Sequence, residues 1–458
     1  MQKLLAIAFL TWKAAFRYRL FWVLAGLLLG SVVLLPLLLK DDGTARGFTQ
    51  ILLTYNLSVI TGLLGISTLW LACGTLARDV EECQIQMVAV KPIGRWQIWL
   101  GKWVGIVLLN AALLAVSGGS VFALLNWRAQ RLPPDQQRVL RNEIFVARAS
   151  LKEPVPDIES AVEKVSQERL RKTPVPPSDQ PLVRDQIRQQ IKAGLQVVPP
   201  GFLRRWNIDL GVRKNFLRDQ PLFVKVKFFA ARTNASGTYL GLWQIGPTNS
   251  AQVSSQPMSL AADTFHEFQI PPNLFDESGQ LTIDFYNRND VALLFPLDEG
   301  LEVLYREGGF GLNFVRGLAI ILCWLALLTA LGLSAASLLS FPVAAFFSIS
   351  VLMVALSSGT LSSVVSEGTV LGADHDTGSA AANWIDTVMV PMFALLLKVV
   401  KLVQDFSPID SLSTGRSITW EQLGLACTQI VLLMGGGIAL IGIVIFNRRE
   451  LATAQGNT

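Results

Sequence analysis

Residues 317–366 form a run of 50 positions without a single charged side chain. A helix crosses the hydrocarbon core of a bilayer with about 20 apolar residues. The run is therefore too long for one crossing and suits two. Ser340-Phe341-Pro342 is the expected turn, because proline disfavours helix for the residue before it. Four further uncharged runs have crossing length: 20–39, 47–77, 103–127 and 422–447. Charges close them at Lys40 and Asp41, at Arg78, at Arg128, and at Arg448 and Arg449. Only 16% of the chain is charged, against about 25% in soluble domains. The deficit lies in these runs, since residues 128–310 are charged like a soluble domain. The expectation is an α-helical polytopic membrane protein with six transmembrane helices and an inserted α+β domain.

The basic residues set the expected orientation. Lys3, Lys13, Arg17 and Arg19 precede the first span. Arg78, Lys91, Arg95 and Lys102 surround the loop after the second, and Arg448 and Arg449 follow the last. Six spans place all three clusters in the cytoplasm with both termini, and the insert outside. Residues 1–127 hold the first three spans and 313–458 the last three. Residues 1–19 read either as a separate interfacial helix or as an extension of the first span. In the first case Leu4, Leu5, Ile7, Ala8, Trp12 and Phe16 share one side. The stretch 385–405 reads as an amphipathic segment on the outer side, lying on the membrane, dipping into it, or forming an irregular seventh span. The N-terminal apolar run passes signal length and lacks a cleavage pattern, so it is expected to be retained.

The insert is expected over 128–312. Its first part, to about residue 195, is polar and helix-forming, with breaks at Pro133-Pro134 and Pro174–Pro177. Its second part, about 200–310, alternates as strands do. Residues 223–228 and 281–285 are the clearest runs, and the expectation is an antiparallel β-sandwich. Residues 128–232 carry 21 basic and 11 acidic side chains, and 233–310 carry 2 basic and 10 acidic. Either a basic surface faces an anionic lipid or substrate, or the two parts pack against each other.

Several function classes find no support. The net charge of +5 is accounted for by residues flanking the spans, so no nucleic acid is expected. The four cysteines, Cys73, Cys83, Cys323 and Cys427, have no metal or redox spacing and none lies in the insert. His375, between Asp374 and Asp376, reads as part of a solvated loop. Neither His375 nor His266 sits in a nucleophile-elbow context, so no catalytic site is expected. No GxxxxGK[ST] loop occurs to cradle nucleotide phosphates. The spans lack carboxylates that would mark a proton path.

The segment 77–102 carries the most information. Arg78, Asp79, Glu81 and Glu82 belong to a helix that Lys91-Pro92 stops. Trp96 and Trp99 suit the membrane interface, and Gly101-Lys102 begins the next span. The order of an acidic helix, Lys91-Pro92, Arg95-Trp96-x-Ile98 and Leu100-Gly101-Lys102 resembles the cytoplasmic coupling segment of ABC-2 type transporter permeases. Phe446-Asn447-Arg448-Arg449-Glu450-Leu451 is similar to that family's ending. Residues 337–345, with Ser340-Phe341-Pro342, are similar to its turn between spans four and five. Residues 301–310 and 406–416 resemble bacterial members with a large external insert. Residues 128–280 carry almost none of the resemblance. Cys83-Gln84 stands where many members have Gly-Thr.

The resemblance implies a permease subunit of the bacterial cytoplasmic membrane, with the large domain on the periplasmic side. Two copies of a separate ATPase subunit would bind ATP and Mg, and this chain would hold no cofactor. A second permease chain, identical or paralogous, would complete a dimer among membrane lipids. Arg78, Asp79, Glu81, Glu82, Lys91, Pro92, Arg95 and Trp96 would dock the ATPase. The moved substrate would be lipid-like. The alternatives are a mechanotransmission subunit acting on an extracytoplasmic partner, and a membrane anchor or receptor that uses no ATP.

Overall fold

The computed structural model describes residues 2–17, 20–38, 44–82, 93–154, 156–172, 176, 180–234, 236–247, 253–369 and 384–449. The chain opens with helices α1 (Gln2–Arg17), α2 (Leu20–Leu38), α3 (Ala45–Glu81), α4 (Arg95–Gln130) and α5 (Pro134–Glu143). Strand β1 (Val146–Leu151) and helices α6 (Ile158–Lys172) and α7 (Gln180–Gln196) follow. Next come β2 (Val197–Val198), β3 (Leu203–Asp209), the single turn α8 (Lys214–Leu217), β4 (Leu222–Val226) and β5 (Phe229–Ala230). The remaining strands are β6 (Thr238–Ile245), β7 (Ser254–Ala261), β8 (His266–Ile270), β9 (Gln280–Asn287), β10 (Leu293–Leu294) and β11 (Leu301–Gly309). The chain then returns to helix with α9 (Phe310–Leu338), α10 (Phe341–Leu356), α11 (Ser358–Glu367), α12 (Trp384–Gln404), α13 (Pro408–Ser413) and α14 (Trp420–Arg448).

These elements form two compact units. One is Met1–Ala147 with Gly308–Thr458, and the other is Arg148–Glu307. The inserted unit is narrower than the 128–312 expected from sequence. The cause lies in α4, which runs on past Trp127 to Gln130, and in α5, whose Leu140 joins the helical core. The expected break at Pro133-Pro134 is the start of α5, where proline fits the first helical turn.

In the helical unit α3, α4, α9 and α14 are each long and apolar enough to cross a membrane. The pairs α1–α2 and α10–α11 raise the number to six if each counts as one span. α10 and α11 are bent by 73°. The break is Ser357, next to Ser358 and Gly359, a run of weak helix formers. Residues Gln2–Arg17 form their own helix, α1, assigned apart from α2. Ile7, Ala8 and Ala15 are its buried positions, while Leu5 is 59% exposed and does not share the expected apolar side. The expected segment 385–405 is the helix α12, and its Lys398 and Lys401 are exposed. One side of α12 presents Val388, Met392 and Leu395. The centre of α14, Cys427–Gly435, is wound as a π-helix.

Close approach through small residues dominates this unit. α1 lies against Gly101 and Gly105 of α4. A Cβ at Gly101 would stand 2.7 Å from the Ile7 Cβ, and one at Gly105 2.8 Å from the Ala8 carbonyl. α3 and α9 meet at Gly332, where a Cβ would stand 2.7 Å from that of Ala72. The gap admits no side chain. In lipid, helix association draws on such packing because the tails are as apolar as leucine.

The inserted unit holds a four-stranded sheet of order β1-β11-β4-β8 and another of order β3-β9-β6-β7. A small three-stranded sheet has the order β2-β10-β5. β6 and β9 alternate buried and outward residues, as a pleated strand with one core face must. Val224, Val226 and Val303 from the first large sheet share a single core with Trp206, Trp243, Ile283 and Phe285 from the second. Phe295 sits among the rings, 5.3 Å from Trp206 and 5.0 Å from Phe285 between centroids. Residues 223–228 and 281–285, expected as strands, are β4 and β9, although β4 ends at Val226.

Ion pairs join the two unevenly charged stretches. Arg148 bonds Glu267, Lys225 Nζ lies 3.3 Å from Glu302, and Lys227 Nζ lies 3.6 Å from Glu299. Arg205 makes a two-pronged bond to Asp284, both N–H···O distances being 2.8 Å. Each of these pairs joins a base from the first stretch to an acid from the second, while others, such as Arg188 with Glu159, stay within the first.

Candidate functional site

The expected docking residues lie at two helix ends of the helical unit. Arg78, Asp79 and Glu81 occupy the last turn of α3, Glu82 is its C-cap, and Arg95 and Trp96 open α4. Residues 83–92 join these ends, and Lys91 and Pro92 lie outside the described residues, as do Cys83, Gln84, His375, Glu450 and Leu451.

Arg95 is turned toward another helix. Its Nη1 donates to the carbonyls of Asn447 and Arg449, each at 2.9 Å, and to that of Phe446 at 3.4 Å. Those carbonyls end α14 and have no partners within a helix. A guanidinium there also meets the negative end of the helix dipole. Arg449 repeats the arrangement one helix further on. It donates to the carbonyls of Ala336 and Ser337 at the end of α9, at 3.2 and 3.1 Å.

Glu81 serves the opposite kind of end. Its Oε1 accepts the backbone N–H of Phe341 at 2.8 Å. Phe341 is the first residue of α10, and its N-cap Ser340 makes no side-chain cap bond. A carboxylate there supplies the missing acceptor and suits the positive end of the dipole. Arg78 lies 4.4 Å over the ring of the same Phe341.

Asp79 faces α4. It pairs with Lys102 at 2.5 Å, and Lys102 Nζ also donates to the Thr75 carbonyl at 2.7 Å. The Lys102 side chain is 9% exposed. Burying a charged group so well is costly without partners of this kind. Trp96 remains 47% exposed, and Glu82 is exposed.

The structure thus separates the expected set into two groups. Arg78, Asp79, Glu81 and Arg95 tie α3 and α4 to each other, to the start of α10 and to the end of α14. Glu82 and Trp96 stand on the surface beside residues 83–92. Sequence reasoning missed Lys102, Arg449 and Phe341 as members of the first group. The signal was present for two of them, since Lys102 and Arg449 are cations at the ends of apolar runs. Their carbonyl partners, from 27 to 113 residues away, have no sequence mark.

Chemically the arrangement binds helix ends, not small molecules. Among the described residues no group of three His, Cys, Asp or Glu side chains is placed to hold a metal. What it offers is connection: on the two sides of residues 83–92, Glu81 is bonded to the start of α10 and Arg95 to the end of α14. Compared with protein-family models, characterised proteins and solved structures, the chain gives no match.

Proposed function

We propose that this chain is the membrane-spanning subunit of an ABC-2 type transporter in the bacterial cytoplasmic membrane. The observation that carries the reading is the set of bonds from Glu81 and Arg95 to the ends of α10 and α14. A segment that receives force from an ATPase needs rigid links to several spans, and both of its flanks have them. The α1–α2 and α10–α11 pairs each count as one span, giving six, with both termini in the cytoplasm. The two large sheets of Arg148–Glu307 are the layers of a β-sandwich on the outer side.

In this reading two ATPase subunits bind ATP and Mg and close around them. Glu82, Lys91, Pro92 and Trp96 form the docking surface. Arg78, Asp79, Glu81 and Arg95 pass the movement on within the chain. A second permease chain, a homodimer partner or paralogue, completes the path for a lipid-like substrate. The self-contained core of Arg148–Glu307 favours a second reading, in which the same stroke acts on an extracytoplasmic partner and nothing crosses.

The test is purification from the native host in mild detergent, with the co-purifying chains identified. A stoichiometric ATPase subunit is expected with the wild type and is lost in Glu82→Lys/Trp96→Ala. Arg95→Gln keeps the subunit but uncouples hydrolysis from movement. Recovery of no ATPase under several extraction conditions overturns the proposal.

A further inference from the structure

A cavity of about 260 Å³ opens in the helical unit between the last turns of α4, helix α5 and the first turn of α9. Its apolar wall is phenylalanine. Phe122 stacks on Phe310 with centroids 5.9 Å apart and planes at 7°, and Phe145 meets Phe310 at 5.2 Å. Its polar rim holds Asn126, Gln137 and Arg141. The amide nitrogens of Asn126 and Gln137 are already used, donating to the carbonyls of Phe122 and Leu132 at 2.8 Å each. Arg141 is exposed and has no ion-pair partner among the described residues.

The neighbourhood marks the level. Arg131 lies 3.8 Å over the ring of Trp127 at the end of α4, and Trp127 is 52% exposed. Exposed tryptophan beside arginine at the end of an apolar helix is the pattern of a membrane interface. Molecules dissolved at that level have an apolar part and a polar head.

Size narrows the class. An apolar cavity of about 150 Å³ already admits benzene, and this one has more room. Sites for whole drug-sized molecules begin at about 300 Å³. The space suits part of an amphiphile whose remainder stays in the surrounding lipid. Arginine bonds phosphate and carboxylate oxygens in a forked geometry.

We infer that this cavity holds an anionic phospholipid, with the start of an acyl chain against Phe122, Phe145 and Phe310 and its phosphate at Arg141. The site rests on the membrane-length helices and not on docking of an ATPase, so either idea can fail without the other.

Gly311 offers a direct test. It lines the cavity, and a Cβ there would meet nothing closer than the Phe122 ring at 3.7 Å. Gly311→Leu therefore fills the space without strain where its Cβ is attached, and Gly311→Ala is the conservative control. The full-length protein, purified and stripped of lipid, is titrated with phosphatidylglycerol, phosphatidylcholine and inorganic phosphate by native mass spectrometry and thermal shift. The wild type is expected to prefer phosphatidylglycerol over phosphatidylcholine by about fivefold or more, as one charge-assisted contact gives. Arg141→Gln removes that preference, and Arg138→Gln on the same helix leaves it. Gly311→Leu abolishes binding of both lipids, and Gly311→Ala retains it. Should Gly311→Leu not fold, Phe145→Trp narrows the same cavity from another wall. Equal losses from Arg138→Gln and Arg141→Gln overturn the inference, as does unchanged lipid binding in the filled variant. A thermal shift from inorganic phosphate equal to that from the lipid overturns the lipid assignment.

Discussion

The two units bury their interiors by opposite means. The inserted unit fills its core with large rings, and Trp206, Trp243, Phe285 and Phe295 all lie within ring-contact distance of one another's neighbours. The helical unit removes side chains where its helices meet, at Gly101, Gly105 and Gly332. Solvent explains the difference. In water a large ring taken from the surface stabilises the fold by its area. In lipid that gain is absent, and helices hold together by close fit and by hydrogen bonds between their ends. The polar groups follow the same division. The inserted unit pairs acid with base, as Lys225 with Glu302 and Arg205 with Asp284 on adjacent strands, whereas the helical unit, apart from Asp79 with Lys102, aims Glu81, Arg95 and Arg449 at bare backbone.

The contrast predicts effects of opposite substitution in each unit. Trp243→Ala should be the most damaging, at about 3–5 kcal/mol for a large ring removed from a core. Hydrogen exchange should rise across β3, β6 and β9 and stay unchanged in α3 and α9. Loosening of α3 and α9 as well would break the comparison.

Gly332→Leu inverts the chemistry. Adding a side chain where α3 and α9 touch should destabilise the helical unit by about 1–3 kcal/mol. Unfolding in detergent, followed by cysteine accessibility at Cys73, reads this directly, because the Cys73 Sγ lies 3.5 Å from the Gly332 carbonyl. Full tolerance of Gly332→Leu would mean that the close fit is incidental.

Arg95→Gln removes a cation from the end of α14 and should cost about 1–2 kcal/mol. The expected sign is faster exchange of amides in the last turn of α14, with α1 and α4 unaffected.

The smallest effect concerns pH and belongs to the inserted unit. The Ser278 hydroxyl, with the Gln280 backbone N–H, holds the Asp276 carboxyl below its ordinary value of 3.8. A depressed folded value adds stability above the unfolded one. That stability is lost as the pH falls below 3.8 through the lower folded value. Asp276→Asn should flatten the dependence in that window, and an unchanged slope would assign it to other carboxylates.

The apolar helices could be read from sequence because lipid demands long runs without charge, and no other fold needs them. Their ends could not. The uncharged run closes at Arg78 and α3 goes on to Glu81, as expected of these residues, but nothing in the sequence marks Lys102 and Phe341 as the partners of Asp79 and Glu81. β4 and β9 announced themselves by alternation. β1 did not, since its Arg148 is buried against Glu267, and a buried arginine disguises the period. Of the candidate site, the residues could be named but not their directions. Glu81 and Glu82 are adjacent in the chain, yet one caps α10 and the other closes α3 at the surface.

The π-wound stretch in α14 has a mechanical meaning. A π turn holds more residues than an α turn, so the helix beyond it is phased independently of the helix before it. Each residue of offset turns the far part by about 100° around its axis. The residues beyond the stretch therefore face neighbours that an unbroken α-helix would not bring round. The Ile438 carbonyl accepts from the Ser334 hydroxyl at 2.9 Å, and Arg95 holds the tip of the helix.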